Sequence, residues 1–492
     1  AAPGALFVAR RGRTSDGRAF IAQAVDAGAT AVLAEAGDGF DAAGVPERAA
    51  LLLTQDAASL SAQLAERFYG RPSAELPVVG VTGSNGKSTV SHLIHRTLRH
   101  VFAERAARGA DNDESDPPPG CGLIGTVEID DGSECAPADM TTPPAMEISR
   151  TLGVMVESGC AAAVLETSSH ALDQSRVAAL QFDVGVFTNL SGEHADYHGS
   201  MEAYADAKAR LFAMLPGSGH AIVNADDPMS AHMLRDCGAS LLRCSASESA
   251  GAEAHVELEP MGLEGIRAVL RGPWGVFAVT SPLLGTHNGM NLLQAAAACW
   301  ALGAEADLVA EGLAAAGAPA GRLERISASE DDLSVFVDYA HTDDALERTL
   351  AAVRSAMPPG AGRRWVVFGA GGERDRTKRP RMGRAAADRA DVVVLTSDNP
   401  RREPPNEIIA EVLAGLTPDE RSACRVHAER GRAIDSAVRE AWAGDVVVIA
   451  GKGHEREQVL MNAEGRLIAE PFDDRERGRA ALAARRKARH GS

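Results

Sequence analysis

The sequence predicts an α/β fold divided among three domains, and three observations carry that prediction. The chain has 492 residues, which is too long for a single hydrophobic core. Short apolar runs typical of buried strands alternate with helical patterns along most of the chain. One of these strands is followed by a glycine-rich turn and a helix, the layout of a phosphate-binding loop. We expect the domains at residues 1–72, 73–318 and 319–492.

Composition favours a globular protein of the cytoplasm. Apolar residues make up 45% of the chain and charged residues 24%. The net charge of −18 argues against a nucleic-acid partner, and no apolar stretch reaches the length of a membrane span. The seven cysteines form no C-x-x-C pair, and we expect a reduced protein without a signal peptide or a membrane partner. We also expect a monomer.

The first domain is predicted to be a small α/β unit. Strands at Leu6–Ala9, Ala31–Ala34 and Ala50–Leu53 alternate with helices at Phe20–Ala27 and Ala57–Phe68. The chain begins without Met, at a point where a strand is already under way. We therefore expect this domain to lack its start.

The central domain contains the run VVGVTGSNGKSTV at Val78–Val90. Lys87 would reach the β- and γ-phosphates of a nucleotide, and the hydroxyl of Ser88 could hold Mg²⁺. The alternative is a turn with a surface lysine, which we disfavour because strand, glycines, Lys-Ser pair and helix agree. The central sheet is therefore predicted to be of the P-loop ATPase type. The loop predicts nucleotide binding but does not identify the reaction.

Two further stretches of the central domain carry candidate catalytic groups. Glu166 ends a buried strand, where a carboxylate suits a Mg²⁺ ligand or a structural cap. A helix from about Ser200 places Lys208 on its apolar stripe. That lysine either snorkels to water or is a desolvated amine that reacts with CO₂ to give a carbamate. The polar, proline-rich stretch Glu104–Gly120 is predicted to be a mobile surface insertion.

The third domain is predicted to be a parallel, doubly wound, Rossmann-like sheet. Its strand candidates are Leu333–Asp338, Trp365–Gly369, Val392–Thr396 and Val446–Ala450. Polar motifs follow each of these strands, at Asp338–His341, Gly369–Arg374, Ser397–Arg401 and Gly451–Glu455. Because these loops share one edge of the sheet and offer both acids and bases, they suit a zwitterionic ligand.

Together these motifs resemble the Mur ligase family over nearly the whole chain. The motifs that carry the resemblance are GSNGKST, MTTPPAMEISRTL, ETSSHALDQSRV, TNLSGEHADYHG with AKARLF, LLGTHNGMN, VDYAHT, GAGGERDRTKRP, SDNPR and AGKGHE. The resemblance implies an N-terminal domain that binds the UDP substrate, a central ATPase domain and a C-terminal domain that brings an amino acid. It also implies ATP and Mg²⁺ as cofactors, and amide formation through an acyl phosphate that releases ADP.

The resemblance assigns roles residue by residue. The nucleotide phosphates would lie on Gly83, Ser84, Asn85, Gly86, Lys87, Ser88 and Thr89, with further ATP contacts from Asn288, Arg322, Asp338 and His341. Catalytic roles would fall to Lys87, Glu166, His194 and Lys208, the last as N6-carboxylysine, and the metal would be held by Ser88, Glu166, His194 and Lys208. The contacts to UDP-MurNAc-L-Ala-D-Glu would be Thr141, Thr142, Ser168, Gln174 and Arg176.

The incoming amino acid is expected to be meso-diaminopimelate. The run Asp398–Arg401, which includes Asn399 and Pro400, resembles the recognition motif of diaminopimelate-adding family members, with Arg374, Gly451 and Glu455 completing the pocket. Arg401 could pair with the second carboxylate of diaminopimelate, which lysine lacks. The alternatives are a lysine-adding ligase, a folylpolyglutamate-synthetase-like ligase and a non-catalytic nucleotide-binding relative.

Overall fold

The structure is a computed structural model that describes residues 2–12, 16–37, 40, 42–108, 118–191, 195–248, 251–358, 360–462 and 464–490. Contacts divide the chain into two compact units. Unit 1 comprises Ala1–His255, Gly272–Trp274 and Gln294–Gly312, and unit 2 comprises Val256–Arg271, Gly275–Leu293 and Leu313–Ser492. The predicted α/β class is confirmed, with a parallel central sheet and a doubly wound C-terminal sheet. The boundaries of the three domains stay a prediction.

Unit 1 begins with a small parallel sheet in the order β1-β2-β3. Its elements are β1 (Leu6–Ala9), α1 (Ile21–Asp26), β2 (Ala31–Glu35), β3 (Ala50–Thr54) and α2 (Ala57–Phe68). The three strands and α2 lie where the sequence predicts them. The start of the first helix differs, because Asp16 accepts a hydrogen bond from the Arg18 amide and caps a 3₁₀ turn at Gly17–Phe20 instead.

The larger sheet of unit 1 carries the phosphate-binding loop. Its strands are β4 (Val78–Thr82), β5 (Gly120–Ile124), β6 (Glu128–Asp130), β7 (Cys135–Pro137), β8 (Cys160–Glu166), β9 (Val184–Phe187), β10 (His220–Asn224) and β11 (Ser240–Ser245). They lie in the order β11-β10-β9-β4-β8-β5-β6-β7. The pairs from β11 to β5 are parallel, and β6 and β7 add antiparallel pairs at one edge.

Helices cover both faces of this sheet, as its parallel strands require. They are α3 (Lys87–Arg108), α4 (Ala145–Glu157), α5 (Ser169–Asp173), α6 (Ala195–His198), α7 (Met201–Ala213) and α8 (Ser230–Met233). The hydroxyl of Ser200 accepts a hydrogen bond from the Ala203 amide and starts α7 where the sequence predicts it. The predicted insertion begins later than expected, because α3 continues to Arg108; residues 109–117 lie outside the described part of the chain.

The division between the units falls within four elements. These are β12 (Ala254–Pro260), β13 (Ile266–Gly272), α9 (His287–Ala301) and α10 (Ala306–Ala316), and β14 (Gly275–Ser281) lies between β13 and α9 along the chain. In unit 1, Ala254 and His255 of β12 pair with Cys244 and Ser245 of β11. In the described part of the chain, none of the helices has the length and apolar character that crossing a membrane requires.

Unit 2 contains the C-terminal sheet, in the order β15-β16-β20-β17-β18-β19. Its strands are β15 (Glu324–Arg325), β16 (Ser334–Asp338), β17 (Arg364–Phe368), β18 (Val392–Leu395), β19 (Arg425–Val426) and β20 (Val446–Ala450), and a hairpin follows, β21 (Glu457–Met461) with β22 (Leu467–Pro471). The helices are α11 (Asp343–Ala356), α12 (Lys378–Arg389), α13 (Pro405–Leu413), α14 (Pro418–Ala423), α15 (Arg430–Glu440) and α16 (Asp474–His490).

Alternate residues of the C-terminal strands enter two separate hydrophobic cores. Val366 and Phe368 of β17 pack in one core, while Trp365 and Val367 pack in the other. Both faces are therefore buried, which explains why these strands are continuous apolar runs. The register pairs Asp338 of β16 with Ala450 of β20, so the polar loops that follow these strands begin at one edge of the sheet.

Candidate functional site

The phosphate loop (Gly83–Thr89) connects β4 to α3, and its conformation is fixed by the segment that follows β9. Gly83 has a φ of 149°, and a Cβ there would lie 1.9 Å from the hydroxyl oxygen of Thr188. That hydroxyl donates to the carbonyl of Asn85 (2.6 Å), and the Ser84 amide donates to the carbonyl of Asn189 (2.8 Å). Glycine is therefore required at the point where the loop passes closest to its neighbour.

Two lysines converge on the carbonyls of the phosphate loop. Lys87 Nζ donates to the carbonyls of Gly83 (3.0 Å) and Ser84 (2.9 Å). Lys208 on α7 also donates to the carbonyl of Gly83 (2.8 Å), and only 1% of Lys208 is exposed. Its Nζ lies 4.5 Å from the ring centroid of Tyr204. The snorkelling alternative for Lys208 is therefore wrong, because the side chain points inward to the loop.

Glu166 lies beside the phosphate loop with both carboxylate oxygens engaged. Ser88 Oγ donates to Oε2 (3.0 Å), and Thr126 donates from its amide to Oε1 and from its hydroxyl to Oε2 (2.8 Å each). Glu166 is 2% exposed, so the carboxylate depends on these donors. Sequence reasoning missed Thr126, although its position just after β5 was a usable signal.

The predicted metal site is described only in part. Ser88 and Glu166 offer adjacent oxygen donors, which is the donor type that Mg²⁺ prefers. His194, the predicted nitrogen donor, lies outside the described residues. Within the described ranges, no group of three or more His, Cys, Asp and Glu side chains could hold a metal ion. The donors that are described fit Mg²⁺ but do not by themselves complete its shell.

The predicted substrate contacts of unit 1 form one connected cluster. Thr142 Oγ1 donates to the Glu166 carbonyl (2.7 Å) and lies 3.1 Å from Ser168 Oγ, while Thr141 Oγ1 lies 3.1 Å from Thr126 Oγ1. The Thr142–Ser168 contact therefore continues the chain of polar groups that starts at Glu166.

Arg176 is held in this cluster by neutral acceptors. Its guanidinium donates to Gln174 Oε1 (2.7 and 3.0 Å) and to the Thr142 carbonyl (2.6 Å). Arg10, directly after β1, donates to the Gln174 carbonyl (2.8 Å). Burial and the nearby Arg10 charge lower the pKa of Arg176. Two guanidinium groups thus face one region, and within the described part of the chain no carboxylate accepts their hydrogen bonds, which suits an anionic ligand. Sequence reasoning missed Arg10.

The remaining predicted nucleotide contacts lie in unit 2, and most are tied to their own loops. Asp338 accepts from the amides of Leu323 (2.7 Å) and Ala340 (3.0 Å) and from the hydroxyl of Thr349 (2.8 Å). Asn288 Nδ2 donates to the carbonyl of Leu284 (2.7 Å). These hydrogen bonds position the backbone of unit 2.

Arg322 and His341 both lie against the ring of Tyr339. The Arg322 guanidinium is 4.7 Å from the ring centroid, and the His341 ring centroid is also 4.7 Å away. Burial and the charge of Glu455 raise the pKa of Tyr339, so its hydroxyl is neutral at physiological pH. This aromatic group borders the loops that carry the predicted amino-acid pocket.

The predicted amino-acid pocket involves two loops, which we call the rim loops: Asp398–Arg401 after β18 and Gly451–Glu455 after β20. Arg401 adopts a φ of 53°, which is uncommon for a residue other than glycine. Its amide donates to the carbonyl of Val459 (3.1 Å), and its guanidinium donates to the carbonyl of Gly372 (2.8 Å). The guanidinium is thus held by a neutral acceptor, and Arg374, from the neighbouring loop, is exposed.

The two rim loops are joined to each other by direct contacts. Asn399 Nδ2 donates to Glu455 Oε2 (2.9 Å), and Lys452 Nζ donates to the same oxygen (2.9 Å). Gly451 has a φ of 118°, and a Cβ there would lie 2.5 Å from Asp398 Oδ2, so the loops meet too closely for a side chain. The sequence motif includes Lys452, but reasoning from the sequence gave it no role.

A buried ion pair supports the rim loops at the ends of the strands that precede them. Arg430 is paired with Asp474, with both side chains fully buried, and donates to the carbonyls of Ser397 (3.2 Å) and Ala450 (2.9 Å). Burial lowers the pKa of Arg430, but the Asp474 charge and hydrogen bonds outweigh it and the pKa is raised. This pair fixes the ends of β18 and β20, where the rim loops begin.

These features define an α/β protein with a glycine-rich loop of the phosphate-binding type on one sheet and a rim of charged loops on another. Family comparisons are consistent with each part. Residues 81–299 match the Mur ligase middle domain, residues 321–453 match the Mur ligase glutamate ligase domain, and residues 1–69 match the Mur ligase family catalytic domain. The chain belongs to the Mur ligase family.

Curated relatives share the name UDP-N-acetylmuramoyl-L-alanyl-D-glutamate–2,6-diaminopimelate ligase. The protein of Gloeobacter violaceus is 43% identical over 485 residues, which cover 98% of this chain and 92% of that protein. The protein of Geobacillus thermodenitrificans is 39% identical over 492 residues, with 98% and 93% covered. A solved structure of a ligase with the same name has a TM-score of 0.66 at 32% identity, covering 99% of this chain and 93% of that one.

A more distant structure shares the fold. The folylpolyglutamate synthase of Mycobacterium tuberculosis, solved with ADP and AMPPCP, has a TM-score of 0.61 at 18% identity, covering 80% of this chain and 92% of that one. At that identity the likeness concerns the architecture alone.

Proposed function

We propose that this protein is the ATP-dependent ligase that joins meso-diaminopimelate to UDP-MurNAc-L-Ala-D-Glu in peptidoglycan precursor synthesis. The observation that carries the proposal is the pairing of a phosphate loop closed by two lysines with a separate charged rim that contains Arg401. The names of relatives that align with 98% of this chain support it. The work of such an enzyme is cytoplasmic, and we propose that it acts as a monomer, with domains at residues 1–72, 73–318 and 319–492.

The proposed reaction has two steps. The γ-carboxylate of D-glutamate attacks the γ-phosphorus of ATP, the bond to ADP breaks, and an acyl phosphate forms. The amine of diaminopimelate then attacks the acyl carbon, and phosphate leaves with the loss of an amine proton. Lys87 and the amides of the phosphate loop stabilise the phosphate charge as two anions approach. Mg²⁺, when bound, would supply further charge stabilisation.

We propose that residues of unit 1 bind the metal and the UDP substrate. Ser88 and Glu166, with His194 and Lys208, would hold the metal, because the first two already place oxygen donors beside the phosphate loop. Buried Lys208 is suited to carry a carbamate: in the reaction a deprotonated amine attacks CO₂, and loss of a proton leaves an anionic ligand. The substrate would lie along Thr141, Thr142, Ser168, Gln174 and Arg176, where Arg176 offers its guanidinium to an anionic group.

The identity of the amino acid is proposed from the rim loops. Arg401 donates to carbonyl oxygens, and a second carboxylate on the ligand would be a stronger acceptor than these. Lysine would leave the guanidinium without that partner. Arg374, Asp398, Asn399, Pro400, Gly451 and Glu455 would form the rest of the pocket.

The test is phosphate release from ATP and Mg²⁺ in the presence of UDP-MurNAc-L-Ala-D-Glu, with meso-diaminopimelate, with L-lysine or with no amino acid. We expect release that depends on diaminopimelate, together with a product that mass spectrometry identifies as the tripeptide. Equal release with lysine would keep the ligase and overturn the specificity. A wild-type protein that binds ATP but releases no phosphate with any amino acid would contradict the proposal.

A further inference from the structure

We propose that Lys452 is a positioning residue that holds Glu455 so that its second oxygen receives the ammonium group of the ligand's distal amino-acid centre. The inference rests on the proposed function, which places meso-diaminopimelate at the rim loops. Lys452 itself does not touch the ligand in this proposal. It acts through Glu455 and Asn399.

The first observation is the burial and bonding of Lys452. Its side chain is 0% exposed, and its ammonium group donates to Glu455 Oε2 (2.9 Å) and Asn399 Oδ1 (3.2 Å). A buried ammonium group without a carboxylate partner is strongly unfavourable, so Lys452 and Glu455 hold each other in place. The neighbouring buried cation, Arg430, already has its own carboxylate in Asp474.

The second observation is that Asn399 has one possible amide orientation. Its Oδ1 accepts from Lys452 and from the Val459 amide (2.9 Å), and its Nδ2 donates to Glu455 Oε2 (2.9 Å). Lys452, Asn399 and Glu455 thus form a closed triangle in which every bond has a fixed direction. The triangle constrains the Glu455 carboxylate more than either bond would alone.

The third observation concerns the other oxygen of Glu455. Among the residues that the structure describes, no donor reaches Oε1, and the side chain is 33% exposed. One oxygen is therefore held from inside, and the other remains available at the accessible side. A carboxylate oxygen in that position suits an ammonium group, which is what diaminopimelate carries beside its distal carboxylate.

The neighbouring histidine does not compete for this oxygen. Burial and the charges of Arg322, Arg475 and Lys452 lower the pKa of His454 to about 4, so it is neutral at physiological pH. His454 therefore adds no positive charge beside Glu455, and Lys452 fixes the direction of the Glu455 side chain.

The experiment compares meso-diaminopimelate with L-2-aminopimelate, which keeps the distal carboxylate but lacks the distal amine. We would measure KM and kcat for both compounds, by phosphate release and product formation, in the wild type and in Lys452→Met and Lys452→Gln. We expect the variants to raise KM for diaminopimelate by about 10-fold or more, with kcat within about 3-fold of the wild type. KM for 2-aminopimelate should hardly change.

A merely structural role would give a different pattern. Equal increases in KM for both compounds, or parallel losses of kcat for ATP and the UDP substrate, would overturn the inference, as would an unchanged KM for diaminopimelate. Lys487→Met, an exposed lysine on α16, is the matched control. If one variant does not fold, the other decides; if neither folds, Glu455→Gln must reproduce the selective loss for diaminopimelate, and a failure to do so contradicts the inference.

The proposal and the proposed function fail in distinguishable ways. A wild-type enzyme without diaminopimelate-dependent phosphate release would remove the proposed function. An active wild type whose Lys452 variants treat the two amino acids alike would leave the function standing and remove the role of Lys452.

Discussion

The predicted substrate cluster of unit 1 and the rim of unit 2 hold their arginines in opposite ways. Arg176 and Arg10 donate to amide and carbonyl oxygens, and burial together with the Arg10 charge lowers the pKa of Arg176. Arg430 is paired with Asp474, and its pKa is raised although burial alone would lower it. The two regions therefore contain the same side chain in two different electrostatic states.

The difference distinguishes the arginines that we propose bind ligands from an arginine that supports the fold. A guanidinium held by neutral acceptors keeps most of its charge available to an anion, whereas one bound to a buried carboxylate does not. By this criterion Arg401 resembles Arg176, although it lies in unit 2, because its acceptors are the carbonyls of Gly372 and Asn399. On this basis we propose that Arg401 binds the ligand, while Arg430 supports the framework.

Substitution of Lys208 should have the largest effect on activity, because a carbamate would convert a buried cation into an anion. We expect Lys208→Ala to lower the rate of ligation by about 10³-fold or more, since charge stabilisation beside the phosphate loop is lost. The measurement is phosphate release under saturating substrates. Added acetate should restore part of the activity by replacing the missing carboxylate.

Controls separate the carbamate from a general effect of removing a lysine. Lys487→Ala should retain wild-type activity, because that side chain is exposed on α16. In the wild type, ¹³CO₂ should give a carbamate signal by NMR that Lys208→Ala lacks. Full activity of Lys208→Ala would remove the carbamate from the mechanism.

Substitution of Arg401 tests whether an arginine of unit 2 that is held by neutral acceptors binds a ligand, as we propose for Arg176 of unit 1. We expect Arg401→Ala to lower kcat/KM for meso-diaminopimelate by about 10²-fold, because the distal carboxylate loses its charged donor. Activity with L-lysine, which has no such carboxylate, should change little. The neighbouring Arg402 is exposed and paired with Glu373, so Arg402→Ala is the matched control. Equal effects of the two substitutions would refute the assignment.

Substitution of Arg10 should have a smaller effect on substrate binding, because Arg176 remains in place. We expect Arg10→Ala to raise KM for UDP-MurNAc-L-Ala-D-Glu by about 5–10-fold, with KM for diaminopimelate unchanged. Arg48→Ala removes an exposed arginine of the same sheet region and should have no effect on either constant. An unchanged KM in Arg10→Ala would mean that its contact with the Gln174 carbonyl only supports the loop.

The sequence predicts the parts of this molecule that depend on local pattern. The strands at Leu6–Ala9 and Val446–Ala450 and the helix at Ala57–Phe68 lie at their predicted bounds, since alternating or continuous apolar runs mark them directly. Helical spacing also predicted that Lys208 lies on an apolar face. The first helix was less accurate, because a single cap at Asp16 decides where the helical turn begins.

The sequence could not predict contacts that join distant segments. Thr126 meets Glu166 across neighbouring strands, and Lys452 meets Asn399 across two strand-end loops. Their positions closely after a strand are a signal that a sheet-edge site could include them, but the local pattern does not indicate which distant residue each one contacts. The metal-ligand role proposed for His194 stays a prediction, because that residue lies outside the described ranges.

Substitution of Asp332 should have the smallest effect. This carboxylate of unit 2 is paired with arginines and supports the fold without contacting a proposed ligand. Hydrogen bonds from Arg485, and to a smaller extent from Arg489, lower the pKa of Asp332 from its ordinary value of 3.8 to about 2. The Asp332 side chain is 15% exposed. Because the folded state holds the charged form more tightly, this pair stabilises the protein above about pH 4, and the contribution is lost as the pH falls through about 2. We expect Asp332→Asn to lower the free energy of unfolding by about 1 kcal/mol at pH 7, after allowance for solvent screening, with no change in KM.

Denaturant unfolding at several pH values should show that the free energies of unfolding of the wild type and of Asp332→Asn converge in acid. Glu464→Gln, in the exposed turn of the hairpin, should show no such difference, and a pH-independent gap for Asp332→Asn would mean that lost packing, not lost charge, destabilises the variant.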